Sequence, residues 1–502
     1  MKQNNEKLQL RVALMVFVLF LFLTNGGCTL PPTNKTPIVT QTATQETPQA
    51  VYSTNNSSEA PTLTPTYEPI KNIGGQEKRL TGYSFITIVD YIKHQVKVDQ
   101  TVRYWNNSSM NLPELKMVVP PNQNTGVFQL ESIKLTGKST LKEILLDGIV
   151  LTIELEDPLP TGDFIDLNIQ YRLNLPPTQG VLGYTAKQTN LSDWYPFFPP
   201  YTEEEVWMIH QPAKIGEYLV YNRANFDLVL IVQGPEDLII AANATVVPNL
   251  NNYQVSVYDA RNISLSISDE YKILSKQFGD TVIQGYIFKE DEDSGWAAIE
   301  ITGNAILLFS DLFGVSYPHG TMTIVESDFP DGMEYDGLYF LSQDYFKTFS
   351  KSLKNYLTLL SVHETAHQWW YGITGNDQAL EPWLDESLAT YSEYLYLEAF
   401  HPELTDWWWE YRVATYKPEG NLGMTIYDQS NLRTYINAVY LRGAMFLHEV
   451  RQLLGDEAFF TNLKLYQNAY RHQIANRDDF LSIFMPVPSE PFITLVQKYF
   501  TN

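Results

Sequence analysis

The sequence is poor in cysteine and in positive charge. Its single cysteine, Cys28, rules out any disulfide within the chain. Lys and Arg number 34 against 58 Asp and Glu, which gives a formal net charge of −24 at pH 7. Because nucleic-acid binding relies on clustered Lys and Arg, this balance excludes a nucleic-acid partner. Long apolar runs are scarce as well, since the run over residues 12–23 is shorter than the roughly 20 apolar residues of an ordinary transmembrane helix.

The first 28 residues have the layout of a bacterial secretory signal. Basic residues precede the apolar run, and Asn25-Gly26-Gly27-Cys28 follows it. This ending resembles a lipoprotein processing site, with Asn25 where leucine is usual. We therefore expect a lipoprotein-type signal peptide over residues 1–28, a lipid on Cys28 as the membrane anchor, and an extracytoplasmic location at a bacterial cell membrane. An ordinary cleaved signal or a short uncleaved anchor is the alternative interpretation.

Composition divides the remaining chain into three segments. Residues 29–76 are rich in Thr, Pro and Ser and cannot bury enough apolar surface to fold, so we expect a flexible tether there. Residues 77–283 contain short runs of alternating apolar and polar residues, such as 149–155, which predict a domain of antiparallel strands. From residue 284 to residue 502, the apolar residues recur with a helical period.

The last segment contains several predicted helices and one predicted strand. Helices are expected over residues 296–313, 349–371, 384–400 and 437–454, further helices over residues 456–502, and the strand over residues 322–326. The sequence therefore predicts an α+β protein, in which an N-terminal antiparallel β domain precedes a mainly helical domain.

A metal-binding motif lies within the second predicted helix. His363 and His367 are four positions apart in the sequence HETAH, so both imidazoles face one side of the helix and can bind one metal ion. Glu364 is rotated by about 100° from His363 and can reach a water molecule on that metal. The motif predicts zinc ligands at His363 and His367 and a general base at Glu364.

The next predicted helix supplies a third ligand. Glu386 lies 19 positions after His367, which leaves room for the chain to turn near Gly372 or Gly375 and return to the metal. Two imidazoles and one carboxylate with an open fourth position are a known catalytic zinc set, so we expect one Zn²⁺ ion. A structural histidine pair on a helix is the alternative, and the matched glutamate argues against it.

With these residues, the chain resembles the aminopeptidase N-like family of gluzincin metallopeptidases over residues 77–502. Residues 331–335, DGMEY, are similar to the family's G-x-M-E-N segment, with Asp331 and Tyr335 in place of the first glycine and the asparagine. Residues 440–443, YLRG, are similar to its Y-x-K-G segment. The resemblance implies a thermolysin-like catalytic domain with a small edge sheet, in a truncated member that lacks the family's large C-terminal helical domain.

The resemblance also implies roles for four residues. Glu334 would bind the free α-amine of the substrate, and the Tyr440 hydroxyl would stabilise the oxyanion. Tyr435 matches a second tyrosine of the family, and Glu393 matches a carboxylate behind the zinc ligands. The alternatives are a solvated loop carboxylate for Glu334, ordinary helix packing for Tyr440 and a structural helix carboxylate for Glu393.

The expected function is zinc-dependent hydrolysis of peptide bonds, most simply the removal of N-terminal residues from peptides at the cell surface. Two other functions are open: a zinc endopeptidase, and a catalytically inactive surface-binding lipoprotein on the same fold. The complete ligand set with Glu364 argues against the inactive lipoprotein, whereas only the cleavage products separate the two peptidases. The sequence does not predict an oligomeric state.

Overall fold

The computed structural model describes residues 79–136, 139–202, 206–485, 487 and 489–501. The predicted signal peptide, Cys28 and the predicted tether lie outside the described residues. In the described part of the chain, no helix is both long and apolar enough to cross a lipid bilayer.

Short strands make up the first half of the described chain, where alternation of apolar and polar residues predicts them. In order, they are β1 (Thr81–Asp90), β2 (Gln95–Trp105), β3 (Leu112–Val118), β4 (Phe128–Thr136), β5 (Leu141–Asp147), β6 (Val150–Leu159), β7 (Phe164–Asn174), β8 (Leu182–Tyr184), β9 (Thr189–Leu191), β10 (Ala224–Gln233), β11 (Ile239–Ala242), β12 (Val247–Asn249), β13 (Asn252–Ala260), β14 (Leu265–Ser268), β15 (Tyr271–Phe278) and β16 (Thr281–Phe288). In β2, Val96, Val98 and Val102 are buried while Lys97 and Thr101 are exposed, so one face of this strand packs on the core.

Three sheets form the β-rich region. The strand orders are β12-β13-β10-β1-β2-β7-β4, β11-β14-β9-β8 and β3-β6-β5. The described pairs among these strands are antiparallel except for β1 and β10, which run parallel with Thr81 beside Ala224 and Asp90 beside Gln233. The predicted antiparallel arrangement therefore holds except at this pair. Alternation in the sequence reports which side chains are buried and carries no information on the direction of a neighbouring strand.

The second half of the described chain is mainly helical. Its helices are α1 (Glu292–Leu312), α2 (Gln343–Lys347), α3 (Tyr356–Ala366), α4 (Trp383–Phe400), α5 (Thr405–Trp408), α6 (Leu432–Tyr435), α7 (Arg442–Leu454), α8 (Asp456–Ala469), α9 (Arg477–Phe484) and α10 (Glu490–Phe500). The remaining strands are β17 (Thr321–Ser327), β18 (Gly332–Tyr335), β19 (Leu338–Ser342), β20 (Gly375–Asn376) and β21 (Ile474–Ala475). Short 3₁₀ segments span Pro120–Gln123, Lys289–Asp291, Pro402–Leu404, Ala414–Tyr416 and Ile426–Asp428, and π-helical turns span Trp409–Val413 and Ile436–Leu441. A β-rich region followed by a helical region confirms the predicted α+β fold.

A five-stranded sheet joins the two halves, in the order β15-β16-β17-β19-β18. The predicted strand over residues 322–326 corresponds to β17. The boundary expected between residues 283 and 284 falls inside β16, which pairs with β15 on one side and with β17 on the other. That domain boundary stays a prediction, but the sheet that carries β18 begins before it, at Tyr271.

The helix that carries the histidines is shorter than the expected 349–371. It begins after Asn355, whose side chain accepts a hydrogen bond from the backbone N–H of Thr358, and residues 349–355 are not helical. It ends at Ala366, with His367 as the C-terminal cap in right-handed helical conformation. Both histidines therefore lie on one face of the last helical turn, although the helix ends at Ala366 and not at the predicted residue 371.

The helix expected over residues 437–454 is confirmed only from Arg442 onwards as a regular α-helix. The helical segment begins earlier, at Leu432, because the Asn431 side chain caps it by accepting from the N–H of Thr434. A π-helical turn then widens the helix over Ile436–Leu441 before α7 continues it. Such turns are rare in helices and often occur at functional sites.

A buried arginine of the β-rich region fixes the turn that follows His367. The Arg261 guanidinium donates to the carbonyl oxygens of Tyr371 and Gly372, the second at 3.0 Å, and to that of Tyr221 at 2.8 Å. Arg223 donates to the same Gly372 carbonyl at 2.8 Å. Because Arg261 is only 2% exposed, these bonds hold the turn without competition from water.

Candidate active site

Three predicted metal ligands meet between the end of α3 and the start of α4. The Nε2 atoms of His363 and His367 are 3.2 Å apart, and Glu386 Oε2 lies 3.2 Å from the first and 3.6 Å from the second. All three side chains are buried, and one ligand atom from each lies within 4.8 Å of the others. The structure thus brings His363, His367 and Glu386 together as the sequence predicts.

Contacts behind the ligands fix the orientation of both imidazole rings. His363 Nδ1 lies 3.2 Å from Glu393 Oε1, and His367 Nδ1 lies 3.2 Å from the carbonyl oxygen of Trp370. With its Nδ1–H donated to that carbonyl, His367 presents the Nε2 lone pair to the ligand cluster. A carboxylate or carbonyl behind a metal-binding histidine is the usual way of fixing its tautomer.

Glu393 is itself held by buried donors. Its carboxylate accepts from Trp408 Nε1 at 2.9 Å and from two nitrogens of Arg412 at 2.9 and 2.8 Å. Burial alone would raise the pKa of Glu393, but Arg412 and His363 lower this pKa to about 2. The carboxylate therefore stays ionised behind His363, at the place that the family resemblance implies.

The donor set fits zinc. Two imidazole nitrogens and one carboxylate oxygen converge, and both rings are oriented from behind, as in catalytic zinc sites with an open position. Burial would raise the pKa of Glu386, but its contacts with His363 and His367 lower this pKa to about 2, so an anionic ligand is available. Two further clusters of possible ligand atoms share residues with this one: Glu334, His367 and Asp385, and Glu217, Glu334 and Glu386. The number of bound ions stays a prediction.

Glu364 packs against the backbone of the edge strand β18. A Cβ atom at Gly332 would lie 2.1 Å from Glu364 Oε1, so only glycine lets the strand approach this carboxylate so closely. Glu364 is buried, and burial raises its pKa to about 8. A bound cation would oppose this shift by stabilising the carboxylate. The side chain is placed beside the ligand cluster without belonging to it.

Glu334 lies two residues after Gly332 on the same strand and is 5% exposed. Its Oε1 accepts from Gln378 Nε2 at 3.3 Å. Gln368 ties the strand to the turn after α3, because its amide donates to the Tyr335 carbonyl at 3.0 Å and accepts from the N–H of Gly337 at 2.8 Å. The strand is therefore fixed relative to the metal ligands.

The two departures from the family segment have structural explanations. Asp331 adopts a φ of 65°, in the left-handed region that glycine favours and that Asp tolerates best among larger residues. Tyr335 points its hydroxyl into the β-rich region, where it donates to Asp193 Oδ2 at 2.9 Å. Tyr221 donates to the other oxygen of Asp193 at 2.7 Å. Both substitutions keep the strand in place and leave Glu334 facing the site.

Glu217 is a site residue that sequence reasoning missed. One oxygen each from Glu217, Glu334 and Glu386 lie within 4.8 Å of one another. Burial, together with the charges of Glu334 and Glu386, raises the pKa of Glu217 well above its ordinary value. The loop that carries it comes from the β-rich region and meets the helical segment at Gly216, where a Cβ atom would lie 3.0 Å from the Tyr435 hydroxyl. No spacing pattern marks this glutamate among the 58 acidic residues.

Two tyrosines come from this helical segment: Tyr435 is the last residue of α6, and Tyr440 lies in the π-helical turn that follows. The Tyr440 hydroxyl donates to Glu386 Oε1 at 2.5 Å, and its ring stacks on His363 at 5.8 Å between centroids with an angle of 5° between the rings. Tyr435 is buried beside it, with ring centroids 5.6 Å apart. The structure thus places Tyr440 at the ligand cluster and Tyr435 behind it, against the loop of Glu217.

Comparisons with known proteins agree with this geometry. Residues 297–499 match the Peptidase family M1 domain. Aminopeptidase N of Lactococcus lactis subsp. lactis is 24% identical over 387 residues, which are 67% of this chain and 43% of that protein. Aminopeptidase M1-D of Oryza sativa subsp. japonica is 25% identical over 221 residues, which are 41% of this chain. The match spans only 25% of the length of the rice protein.

Solved structures show the same fold. An M1 zinc metallopeptidase mutant from Deinococcus radiodurans superposes with a TM-score of 0.60 at 17% identity, covering 84% of this chain and 94% of that one. The helical half of the chain is therefore similar to the Peptidase family M1 domain over residues 297–499, and the described chain shares its fold with an M1 zinc metallopeptidase. These similarities agree with the resemblance to the aminopeptidase N-like gluzincin family that the sequence motifs indicate.

Proposed function

We propose that this protein removes N-terminal residues from peptides by zinc-dependent hydrolysis. The observation that carries the proposal is the pair of carboxylates, Glu334 and Glu217, within 4.8 Å of the metal ligand Glu386. A free peptide N-terminus is an ammonium ion, which such carboxylates bind through charge-assisted hydrogen bonds. A peptide held by this group presents its first peptide bond to the ligand cluster, whereas an internal bond has no ammonium at that distance.

The chain's own side chains account for the chemical steps. A zinc ion held by His363, His367 and Glu386 would supply a Lewis acid that lowers the pKa of water towards about 7 and polarises a carbonyl group. Glu364 accepts the proton of the attacking water, because it directly follows the ligand His363 on α3 and packs against the edge strand β18 beside the ligand cluster. It then delivers this proton to the nitrogen of the departing amine.

Tyr440 stabilises the charge that develops on the carbonyl oxygen. Its hydroxyl lies at the ligand cluster, 2.5 Å from Glu386 Oε1, and its stacked position on His363 fixes its direction. Burial raises the pKa of this hydroxyl well above its ordinary value, so it keeps its proton and acts as a donor. A donor fixed before the reaction stabilises the oxyanion without reorganisation.

Two comparisons support a peptide substrate. The relatives from Lactococcus lactis and Oryza sativa are named aminopeptidases. The Deinococcus radiodurans metallopeptidase mutant has also been solved with a Tyr-Ser-Ala substrate bound. Each statement concerns the other protein, and together they favour short peptides with a free N-terminus as substrates here.

The test is digestion of a mixed peptide library with and without a chelator, with the products read by mass spectrometry. Each peptide is supplied with a free and with an acetylated N-terminus. We expect stepwise loss of N-terminal residues from the free peptides only, abolished by the chelator and restored by Zn²⁺. Equal cleavage of free and acetylated peptides would contradict aminopeptidase action and favour an endopeptidase. No cleavage by the zinc-loaded protein would favour a surface-binding role.

We also propose that the protein works outside the cytoplasm, anchored to a bacterial membrane through a lipid on Cys28. The proposal is supported by the basic start, the short apolar run and the position of the single cysteine. In the producing bacterium, the mature N-terminal peptide should begin at Cys28 and carry the mass of a lipid. Cys28→Ser should move the protein from the membrane fraction to the medium or the periplasm. An unmodified Cys28 would contradict the anchor.

A further inference from the structure

A row of aromatic side chains leads away from the catalytic carboxylate. The ring centroids of Tyr345 and Tyr356 are 5.9 Å apart, those of Tyr356 and Tyr411 are 5.9 Å apart, and Tyr411 stacks on Trp407 at 5.3 Å. Tyr411 is 41% exposed, and the other three are half-buried. We call these four residues the aromatic row. Neighbouring aromatic side chains that each keep part of their surface accessible to solvent can together form a binding surface.

The inner end of the row touches the site through β18. The Tyr345 hydroxyl donates to Asp331 Oδ1 at 2.8 Å. Asp331 directly precedes Gly332, the residue that packs against Glu364. The row therefore starts at the end of the edge strand that lies beside the general base.

Helix α3 connects the row to the metal ligands. Tyr356, Leu360 and His363 follow one another at spacings of four and three residues, so they share one face of this helix. Leu360 is half-buried, whereas most other residues of the helix are buried. Seven residues of α-helix rise by about 10 Å, so Tyr356 lies about 10 Å along the helix from the ligand cluster.

The row and the amine-binding carboxylates lie in opposite directions along β18. Glu334 lies towards the C-terminal end of the strand, whereas Gly332 is its first residue and Asp331 directly precedes it. A peptide bound by its N-terminus at Glu334 therefore runs towards Asp331 once it passes the reacting bond. β18 is the edge strand of its sheet, so an extended peptide can lie along it. At about 3.3 Å per residue, the peptide reaches Tyr356 with its third and fourth residues.

The row is held in place before any peptide binds. The Tyr356 hydroxyl is 3.2 Å from the Tyr416 hydroxyl. Tyr411 lies in the π-helical turn Trp409–Val413, which directs Arg412 inwards to Glu393 while Tyr411 remains at the surface. One turn therefore supports both the metal site, through Glu393, and the aromatic surface. Rings fixed in this way lose little side-chain entropy on binding.

We propose that the aromatic row binds the third and fourth residues of the peptide substrate and selects peptides that carry aromatic side chains there. This inference rests on the proposed function, because aminopeptidase action sets the direction of the peptide. Aromatic side chains of the substrate would stack on Tyr356 and Tyr411, while the first residue is bound at Glu334. The proposed preference therefore concerns substrate residues on the C-terminal side of the cleaved bond, which belong to the shortened peptide that leaves after cleavage.

The test compares two pentapeptides, Leu-Ala-Phe-Phe-Ala and Leu-Ala-Ala-Ala-Ala, on the zinc-loaded protein. Release of the first leucine gives kcat/KM for each, and we expect the aromatic peptide to be favoured about tenfold. In Tyr411→Ala, and separately in Trp407→Ala, this ratio should fall to about two or three. Tyr258→Ala is the matched control, because Tyr258 is 54% exposed on β13 of the β-rich region. It should keep the full ratio, and melting temperatures verify that each variant is folded.

Binding separates failure of this inference from failure of the proposed function. Glu364→Gln with zinc bound is titrated with both pentapeptides by calorimetry, so that no turnover is needed. Tighter binding of the aromatic peptide, lost in the double variant with Tyr411→Ala, supports the row even if no bond is cut. A wild-type ratio near one, or an unchanged ratio in folded Tyr411→Ala and Trp407→Ala, overturns it, even if N-terminal residues are released as proposed.

Discussion

The proposed zinc ligands and the proposed amine-binding carboxylates, which we call the zinc end and the amine end of the candidate site, are built in different ways. At the zinc end, His363 and Glu386 are 23 positions apart, on two consecutive helices, and the ligands are oriented from behind by Glu393 and the Trp370 carbonyl. At the amine end, Glu334 comes from an edge strand and Glu217 from a loop of the β-rich region. The zinc end therefore depends on helix geometry, and the amine end depends on the packing of the two halves of the chain.

The largest expected effect is at the zinc end. Glu364→Gln removes the proton acceptor and keeps a side chain of similar size, so kcat should fall roughly a thousandfold. Zinc content, measured by mass spectrometry of the purified protein, should not change, because Glu364 is not among the three ligands. A variant that keeps zinc and most of its turnover would show that another group is the base.

At the amine end, Glu334→Gln should affect free N-termini far more than blocked ones. It removes the charge that faces the ammonium, which corresponds to a loss of kcat/KM of roughly tenfold to a hundredfold. Any residual cleavage of acetylated peptides should stay at the wild-type level. Glu217→Gln should give a smaller loss of the same kind, because Glu217 is only half-buried. Equal losses on free and acetylated peptides would break the distinction between the two ends.

The support behind the zinc end can be tested without measuring activity. Glu393→Gln removes the carboxylate behind His363 and leaves Arg412 without its ionic partner, so zinc affinity should fall roughly tenfold to a hundredfold. Competition with a fluorescent chelator measures this. Glu398→Gln is the control on the same helix, because Glu398 pairs with Arg451 and lies outside the site. Equal zinc affinities in the two variants would argue against the role of Glu393.

The smallest effect on activity is expected at a buried carboxyl outside both ends, whose removal should change stability. Glu326 lies on β17 and accepts from the N–H of Phe288 at 2.8 Å, and burial raises the pKa of this carboxyl to about 9. Because the folded pKa is above the ordinary value of 4.5, its contribution to stability is fully present below about pH 4.5 and is lost as the pH rises through about 9.

Glu326→Gln should therefore flatten the decline of melting temperature between pH 5 and pH 9, because the amide has no proton to lose over this range. Thermal unfolding followed by circular dichroism gives the two curves. Glu143→Gln, at an exposed position on β5, controls for the change in net charge. Parallel curves for wild type and Glu326→Gln would contradict the raised pKa.

The contrast between the zinc end and the amine end also explains which site residues can be predicted from the sequence. His363, His367, Glu364 and Glu386 follow from spacing within neighbouring helices. The structure brings the three ligands together and places Glu364 against Gly332 beside them. Glu334, Tyr440 and Glu393 required a resemblance to a known family, because a strand residue or a helix tyrosine carries no local signal of its chemistry. Their placement fits that resemblance, while their roles stay predictions.

Features that depend on distant contacts were beyond sequence reasoning. Glu217 reaches the site only because its loop packs on Tyr435, through a glycine that allows the approach. The parallel pairing of β1 with β10 also joins distant parts of the chain. In both cases, the missing information is which distant segments of the chain contact each other. The later start of α3 is a local effect, because the cap at Asn355 outweighs the apolar pattern before it.

Arg261 has a consequence for modularity. Its bonds to the carbonyls of Tyr371 and Gly372 and to that of Tyr221 make one arginine of the β-rich region part of the scaffold under the zinc helix. A recombinant fragment that began at residue 284 would lack this arginine and would start within β16. The two halves should therefore be engineered as one unit, because exchanging one of them for that of a relative would also require its matching half.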